Sequence, residues 1–292
     1  MNLNEVKNKI ENELNEQLSH CGLMYRLFAR AKTLRSLKHK MDIKGEKYRA
    51  GKGKIQDMIG LRIVLYFPED VEILSFFFSC RNLVDAAIDE LDTSTFRPQR
   101  LNLVKTIPDH LVAEFRACLP QEYAPYIDNT YEVQIRTIFS EGWHEVEHDM
   151  RYKCKEDWEG YDMHSRRLNG IIATLETAEF SMSSLFNELA AQYLNDCKYS
   201  AMLRNKLRIR LANDSFSPTV NDFLMKHHEI AEQAFKMDRT VFLLSLMSHK
   251  ASIPLTFDNV LFLFNRIDIQ NPELMALENA ETKEQIEKLI IT

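Results

Sequence analysis

Asp57-Met-Ile-Gly-Leu-Arg62-Ile-Val-Leu-Tyr-Phe67 is a nearly unbroken run of branched, aliphatic and aromatic residues stopped by Pro68. Such residues favour extended backbone, and a run this apolar suits a central sheet strand. A sheet is therefore the first commitment of the fold. Alternation puts Asp57 at the strand's opening on the face of Ile59, Leu61 and Ile63, with Arg62 on the other face. An acid there reads equally as a carboxylate projecting from the sheet or as a helix or turn cap.

Tyr131–Arg136 is a second strand, alternating Glu132, Gln134 and Arg136 with Val133 and Ile135, so the three polar side chains share one face. From Ile138 the period becomes helical, with Phe139, Trp143, Val146 and Met150 on one stripe and Glu141, His144, Glu145, His148 and Arg151 around the rest. His144 is expected at the surface. Thr95–Ile107 is a third strand, with Leu101, Leu103 and Lys105 on one face, and Pro98 keeps its start out of a central ladder.

Helical spacing supplies the cover. Val6, Ile10, Leu14 and Leu18, continued by Leu23, Leu27 and Leu34, predict one or two amphipathic helices over the first forty residues. Met41–Ile55, with Lys44, Lys47, Arg49, Lys52 and Lys54 among three glycines, reads as a basic loop and not a phosphate-binding P-loop. Helices are expected over Asp70–Cys80, Asp109–Cys118 and Glu159–Leu194, with a short strand within Asn82–Leu91. After Asn195 only short helices follow, near Ala201–Leu211, Thr219–Phe235, Arg239–His249, Phe257–Phe264 and Glu281–Ile291. The Met and Phe residues of this part, as in Phe223-Leu-Met and Phe242–Met247, read as core packing. The expected division is 1–195 and 196–292.

Composition narrows the class. The 292 residues can bury a sizeable core, and a formal net charge of -6 argues against a general nucleic-acid coat. Five scattered cysteines without a C-x-x-C pair read as reduced thiols. No apolar run reaches the ~20 residues a bilayer requires, and the polar helical start is no signal peptide. A cytoplasmic protein is expected, with no membrane partner.

Asp57 and Glu132, placed on neighbouring strands, can share a hard cation such as Mg²⁺, which takes carboxylates and leaves positions for water and phosphate. Arg30, Lys32, Lys40 and the Lys44–Lys54 run can neutralise a polyphosphate. That is the equipment of phosphoryl or pyrophosphoryl transfer, where catalysis is mostly positioning and charge stabilisation. A helix-flanked sheet with a charged rim is the plain alternative.

Four ordered blocks sharpen this choice. They are Arg30, Lys32, Ser36 and Lys40 in R-x-K-x-x-x-S-x-x-x-K, then DMIGLR at Asp57–Arg62, then EVQIRT at Glu132–Thr137, then WHEVEHDMRYK at Trp143–Lys153. Together they resemble the synthetase domain of the RelA/SpoT family, and within it the small alarmone synthetases. The resemblance implies an α+β fold, a mixed β-sheet flanked by helices as in nucleotidyltransferases, followed here by an all-helical C-terminal extension. It implies transfer of the ATP β,γ-diphosphate to a ribose 3′-hydroxyl of a guanosine nucleotide, GDP or GTP, giving a (p)ppGpp-type alarmone.

Carried over by position, Asp57 and Glu132 are the catalytic, Mg²⁺-binding acids, with Glu132 serving the metal or the acceptor hydroxyl. Arg30, Lys32, Ser36 and Lys40 bind ATP from the family's ATP-binding helix region. Gln134, Arg136, His148 and Lys153 bind the acceptor. One block departs from the family. Where guanosine-using members carry G-Y-x-S-x-H, this chain has RPQRLNLV at Arg97–Val104, with Pro98 in the place of the guanine-stacking tyrosine. Arg97 and Arg100 are the candidates to bind acceptor phosphates, and Phe96 or Tyr126 to stack a base. The departure keeps other acceptors open, the tRNA 3′ end or an adenosine nucleotide in a growth-inhibiting toxin. A catalytically lapsed nucleotide- or partner-binding module is the remaining alternative. Small relatives often self-associate, so a homo-oligomer is an expected partner state.

Overall fold

A computed structural model describes residues 2–79, 83–88, 101–248 and 253–291. The chain forms two compact units, residues 1–16 with 25–177, and residues 17–24 with 178–292.

The first unit runs α1 (Leu3–Ser19), β1 (Tyr25–Ala31), α2 (Leu34–Arg49), β2 (Ile59–Leu65), α3 (Glu69–Ser79), β3 (Leu83–Ile88), β4 (Leu101–Thr106), α4 (Asp109–Ala117), β5 (Thr130–Thr137), α5 (Ile138–Glu147) and the start of α6 (Asp162–Asn195). The strands form one mixed sheet in the order β1-β2-β5-β4-β3, in which β2 and β5 are parallel and the other neighbours antiparallel. This is the expected α+β architecture, with the DMIGLR strand inside the sheet.

One face of the sheet is the core. Ile59, Leu61 and Ile63 of β2, Val133 and Ile135 of β5, and Leu101 and Leu103 of β4 are all buried on it. Each such side chain contributes about 1.5–3 kcal/mol relative to exposure. The helix α3 covers part of this face through Ile73, Leu74, Phe77 and Phe78, and the Lys105 ammonium sits 4.4 Å above the Phe78 ring. Tyr131 is buried too, which pushes its phenol up to about 12. The opposite face carries Arg30, Gly60, Arg62, Glu132, Gln134 and Arg136, placed there by the same register.

Several expectations need correction. The first forty residues are not wholly helical: Tyr25–Ala31 is a strand antiparallel to β2. Leu23 and Leu27 fit a helical spacing by coincidence, because Gly22 at φ +69 breaks the helix and Arg26, Phe28 and Arg30 alternate outward as a strand requires. Arg30 is therefore on a strand, and Lys32 follows it. The basic stretch from Met41 is not a loop up to Ile55, since α2 continues through Arg49 and buries Leu37, Met41, Gly45 and Tyr48 on one helical stripe. Lysines at the surrounding positions hid that stripe. Thr219–Phe235 is two helices, Pro218–Lys226 and His228–Lys236, separated at His227, whose φ of -124 and ψ of 63 are not helical.

The second unit is helical among the described residues. Its interior includes Leu203, Leu243, Phe257 and Phe264. The rings of Phe242 and Phe264 meet edge to face with centroids 4.6 Å apart, a preferred aromatic geometry. Phe242, Leu243, Leu246 and Met247 are buried as expected, whereas Met225 is exposed. No described helix in either unit is long and apolar enough to cross a membrane. Among the described cysteines, Cys118, Cys154 and Cys197 are free thiols, and the buried Cys21 thiol donates to the Leu18 carbonyl at 3.1 Å.

Candidate active site

The end of β1, the start of α2 and the approach to β2 converge on Asp57. The Thr33 hydroxyl caps α2 by accepting from the Ser36 backbone N–H at 3.2 Å, and it also bonds the Ser36 hydroxyl at 2.9 Å. The Lys32 backbone N–H donates to the Met58 carbonyl at 2.8 Å. These contacts fix Lys32 beside Asp57 and aim α2 so that Lys40 reaches the same acid. The Lys32 ammonium lies 2.9 Å from Asp57 Oδ2 and the Lys40 ammonium 2.9 Å from Asp57 Oδ1. Burial would raise the Asp57 carboxyl, but the hydrogen bonds and charges of Lys40 and Lys32 outweigh it and hold the group below its ordinary value.

Asp57 does not open β2 as the alternation suggested. The strand starts at Ile59, and Glu132 stands opposite Gly60. The two acids thus lie three register positions apart at the same end of the parallel β2–β5 pair. Arg30 is opposite Gly60 on the other side. Its side chain crosses over that glycine, with Cγ 3.7 Å and Nε 3.5 Å from the position a Gly60 Cβ would take. Glu132 is half-buried on the same face, and no hydrogen bond or ion pair to its carboxylate forms among the described residues.

Farther along that face the polar side chains bind one another. Arg62 Nε donates to Gln134 Oε1 at 3.1 Å. The Arg62 guanidinium also bonds Glu141 and Glu145 of α5, and Arg136 pairs with Glu141 at 2.9 Å. The Thr137 hydroxyl caps α5 by accepting from the Ser140 N–H at 3.2 Å, which sets Glu141 over the strand ends. Burial is the largest influence on Arg136 and lowers it, while for Arg62 the two glutamates outweigh burial and raise it. Gln134 and Arg136 share the face of Glu132 but are committed to this network.

The end of α5 differs from its expected stripe. Trp143, His144 and Glu147 are buried, while Val146 and Met150 are exposed. The Trp143 indole N–H donates to the Leu168 carbonyl at 3.0 Å, and Arg151 bridges Glu147 and Asn169. Polar tethers of Trp143 and Glu147 to α6, made directly and through Arg151, decide which side of α5 turns inward. His144 is consequently not a surface histidine. It lies edge-on to the Trp143 ring. His148 opens an exposed π-helical segment, His148–Tyr152, that Lys153 caps, and both side chains bond Asp149, at 3.0 and 2.6 Å. No described hydrogen bond joins them to Asp57 or Glu132.

The structure therefore gathers Arg30, Lys32, Lys40, Asp57 and Glu132 around the start of β2, and places Ser36 in the cap of α2. Arg97 and Arg100 lie outside the described residues. Sequence reasoning missed Arg62 and Glu141 as network residues. The outward position of Arg62 was readable, but its pairing with an acid about eighty residues away was not.

Among the described residues no group of three or more His, Cys, Asp or Glu is arranged to hold a metal. Asp57 and Glu132 are two carboxylates, the donor set of a cation that keeps water and phosphate in the rest of its shell. Among the described residues Glu132 has no competing partner. The residues fit Mg²⁺ accompanied by phosphate.

Residues 29–157 match the family model described as a region found in RelA / SpoT proteins. No curated protein matches the chain. Among solved structures, the small alarmone synthetase 1 from Bacillus subtilis is 21% identical over 63% of this chain and 93% of that one, with a TM-score of 0.43. A GTP pyrophosphokinase family protein from Streptococcus pneumoniae is 19% identical over 68% and 91%, with a TM-score of 0.42. The small alarmone synthetase 2 from Bacillus subtilis is 18% identical over 63% and 97%, with a TM-score of 0.42.

Proposed function

We propose that the chain, whose residues 29–157 match the model of a region found in RelA / SpoT proteins, is a diphosphotransferase that moves the β,γ-diphosphate of ATP to a ribose 3′-hydroxyl of a guanosine nucleotide. The observation that carries this reading is the meeting of Lys32, Lys40 and Asp57 inside the matched region, with Glu132 and Arg30 flanking Gly60 beside them.

Arg30, Lys32 and Lys40 bind the triphosphate, and Asp57 and Glu132 hold Mg²⁺. When bound, the cation neutralises charge developing on the transferred group. Arg30 and the two lysines hold the β-phosphorus in line with the acceptor and keep charge balanced as the bonds change. The acceptor 3′-oxygen bonds to the β-phosphorus, the bond from that phosphorus to the α,β-bridging oxygen breaks, and AMP leaves. Where Glu132 serves the acceptor hydroxyl instead of the metal, its carboxylate, which has no hydrogen bond or ion pair among the described residues, takes the hydroxyl proton. Gln134 and Arg136 line the acceptor side, held there by Arg62 and Glu141. His148, Lys153, Arg97 and Arg100 extend that side. A reaction drawing on ATP and GDP or GTP is expected in the cytoplasm.

Purified protein incubated with Mg²⁺ and ATP labelled in the γ-phosphate is expected to label GDP or GTP and release AMP. Absence of label in every nucleotide and RNA acceptor would end this reading, and ATP binding without turnover would make the chain a nucleotide-binding module. Pro98 in place of a stacking tyrosine favours a second acceptor class. Label appearing only in the tRNA 3′ end or in an adenosine nucleotide would replace the guanosine acceptor and keep the chemistry.

A further inference from the structure

Both oxygens of Asp57 are already occupied, and each occupant comes from a different segment. Lys32 is tied by its backbone to Met58, Lys40 projects from α2, and each ammonium is 2.9 Å from a separate carboxylate oxygen. All three side chains are largely covered, with relative exposures of 15% for Lys32, 26% for Lys40 and 24% for Asp57. Neither partner can leave without desolvated charge remaining behind, because removing one member of a covered pair strands the other. A divalent cation arriving alone would have to displace an ammonium and leave it facing a second cation. A triphosphate arriving alone would draw the ammoniums away and leave Asp57 facing an anion.

Resting on the reading of this site as one for ATP and Mg²⁺, we infer that Asp57 and the Lys32–Lys40 pair are placeholders for the two halves of the metal–triphosphate complex. The complex enters by a double exchange in which phosphate oxygens take over the ammoniums while the cation takes over the carboxylate. The net charge of the cluster then stays close to neutral before and after, and no step strands a covered ion. The protein thereby selects the preassembled complex over either component. Coupling of this kind is reciprocal, so each component alone must bind more weakly by the same factor by which the other assists it.

Two titrations of the full chain at about 0.15 M salt test the exchange without requiring turnover. In the first, Mn²⁺ is titrated without nucleotide and free Mn²⁺ is read by electron paramagnetic resonance. Lys40→Met and Lys32→Met are expected to bind Mn²⁺ about 5–150-fold more tightly than the natural chain, the usual range of such coupling. Lys38→Met removes an equal charge from α2 at a lysine with no described bond to Asp57, and is expected to change little because salt screens exposed charges. In the second, ATP is titrated in excess chelator, where Asp57→Asn is expected to bind metal-free ATP more tightly by a factor in the same range. A purely structural ion pair would shift Mn²⁺ affinity no more than the general charge effect that Lys38→Met reports. The exchange is overturned if the Lys40 and Lys32 variants match the Lys38 variant or the natural chain, or if Asp57→Asn binds metal-free ATP no better. Circular dichroism confirms folding of each variant, and the two titrations alter opposite partners, so a misfolded variant in one leaves the other decisive. Loss of label transfer to all acceptors with both affinity changes present would refute the proposed reaction and leave the exchange standing.

Discussion

On β5, Val133 and Ile135 are each 1% exposed, while Glu132, Gln134 and Arg136 between them remain half-buried on the opposite face. The same strand thus serves two environments, and the two faces are held together by different physics. The core face gains from removing apolar area from water, a term that is non-directional and tolerant of small repacking. The polar face depends on particular atoms at particular distances, because a covered charge without its partner is costly. The core face should therefore govern stability, and the polar face function.

The largest effect expected tests the first half of that statement. Ile135→Ala removes a fully buried side chain and should lower unfolding stability by about 2–5 kcal/mol, read by chemical denaturation. Transfer activity per folded molecule should stay near that of the natural chain. A comparable loss of activity at temperatures where the variant is folded would break the comparison, since the core face would then be setting the geometry of the other.

Glu132→Gln tests the converse on the adjacent residue. Its carboxylate has no described partner, so its loss leaves nothing stranded and the unfolding midpoint should barely move. Label transfer should fall about 10²–10³-fold, the cost of losing one well-placed electrostatic group in a reaction of this kind. A large drop in stability with little change in rate would reverse the assignment of the faces at this position.

How far each face could be read from sequence follows the same division. Period-2 alternation predicted the inward residues of β2, β4 and β5, because burial depends on residue type and spacing alone. The polar face was legible only as a set of residues. That Asp57 sits before the strand, clamped by Lys32 and Lys40, depends on where β2 begins and how α2 is aimed. The strand β1 escapes the pattern because Leu27, with Leu23 just before the strand, also fits a helical spacing, and the inward side of α5 escapes it because polar tethers from Trp143 and Arg151 override the apolar stripe. Local pattern carries no information about such partners.

Glu141→Gln asks whether the polar network supports function at a distance from the acids. Glu141 joins Arg62 and Arg136, and weakening hydrogen bonds to charged groups costs about 1.5–3 kcal/mol, less where water reaches Glu145 and Arg62. A moderate loss of stability should accompany a larger KM for the acceptor, with KM for ATP little changed, because the network lies at the Gln134–Arg136 end of β5 and not beside Lys32. An equal rise in both KM values would show that the polar face acts as one unit.

The smallest effect is expected where the faces come closest to exchanging character. Gly60 belongs by register to the polar face but presents no side chain, which leaves room for Arg30 to cross toward Glu132. An added methyl would meet Arg30 at 3.5 and 3.7 Å, ordinary van der Waals contact, so nothing need shift. Gly60 is also not among the glycines with positive φ. Gly60→Ala should then stabilise the fold by about 0.4–1 kcal/mol, through a less flexible unfolded chain, and leave ATP-dependent labelling near the natural level. Gly60→Leu would occupy the path of Arg30 and should raise KM for ATP while the protein stays folded. If alanine alone abolished labelling, Arg30 would need closer passage over β2 than this structure gives it, and the open space at Gly60 would itself be part of the binding site.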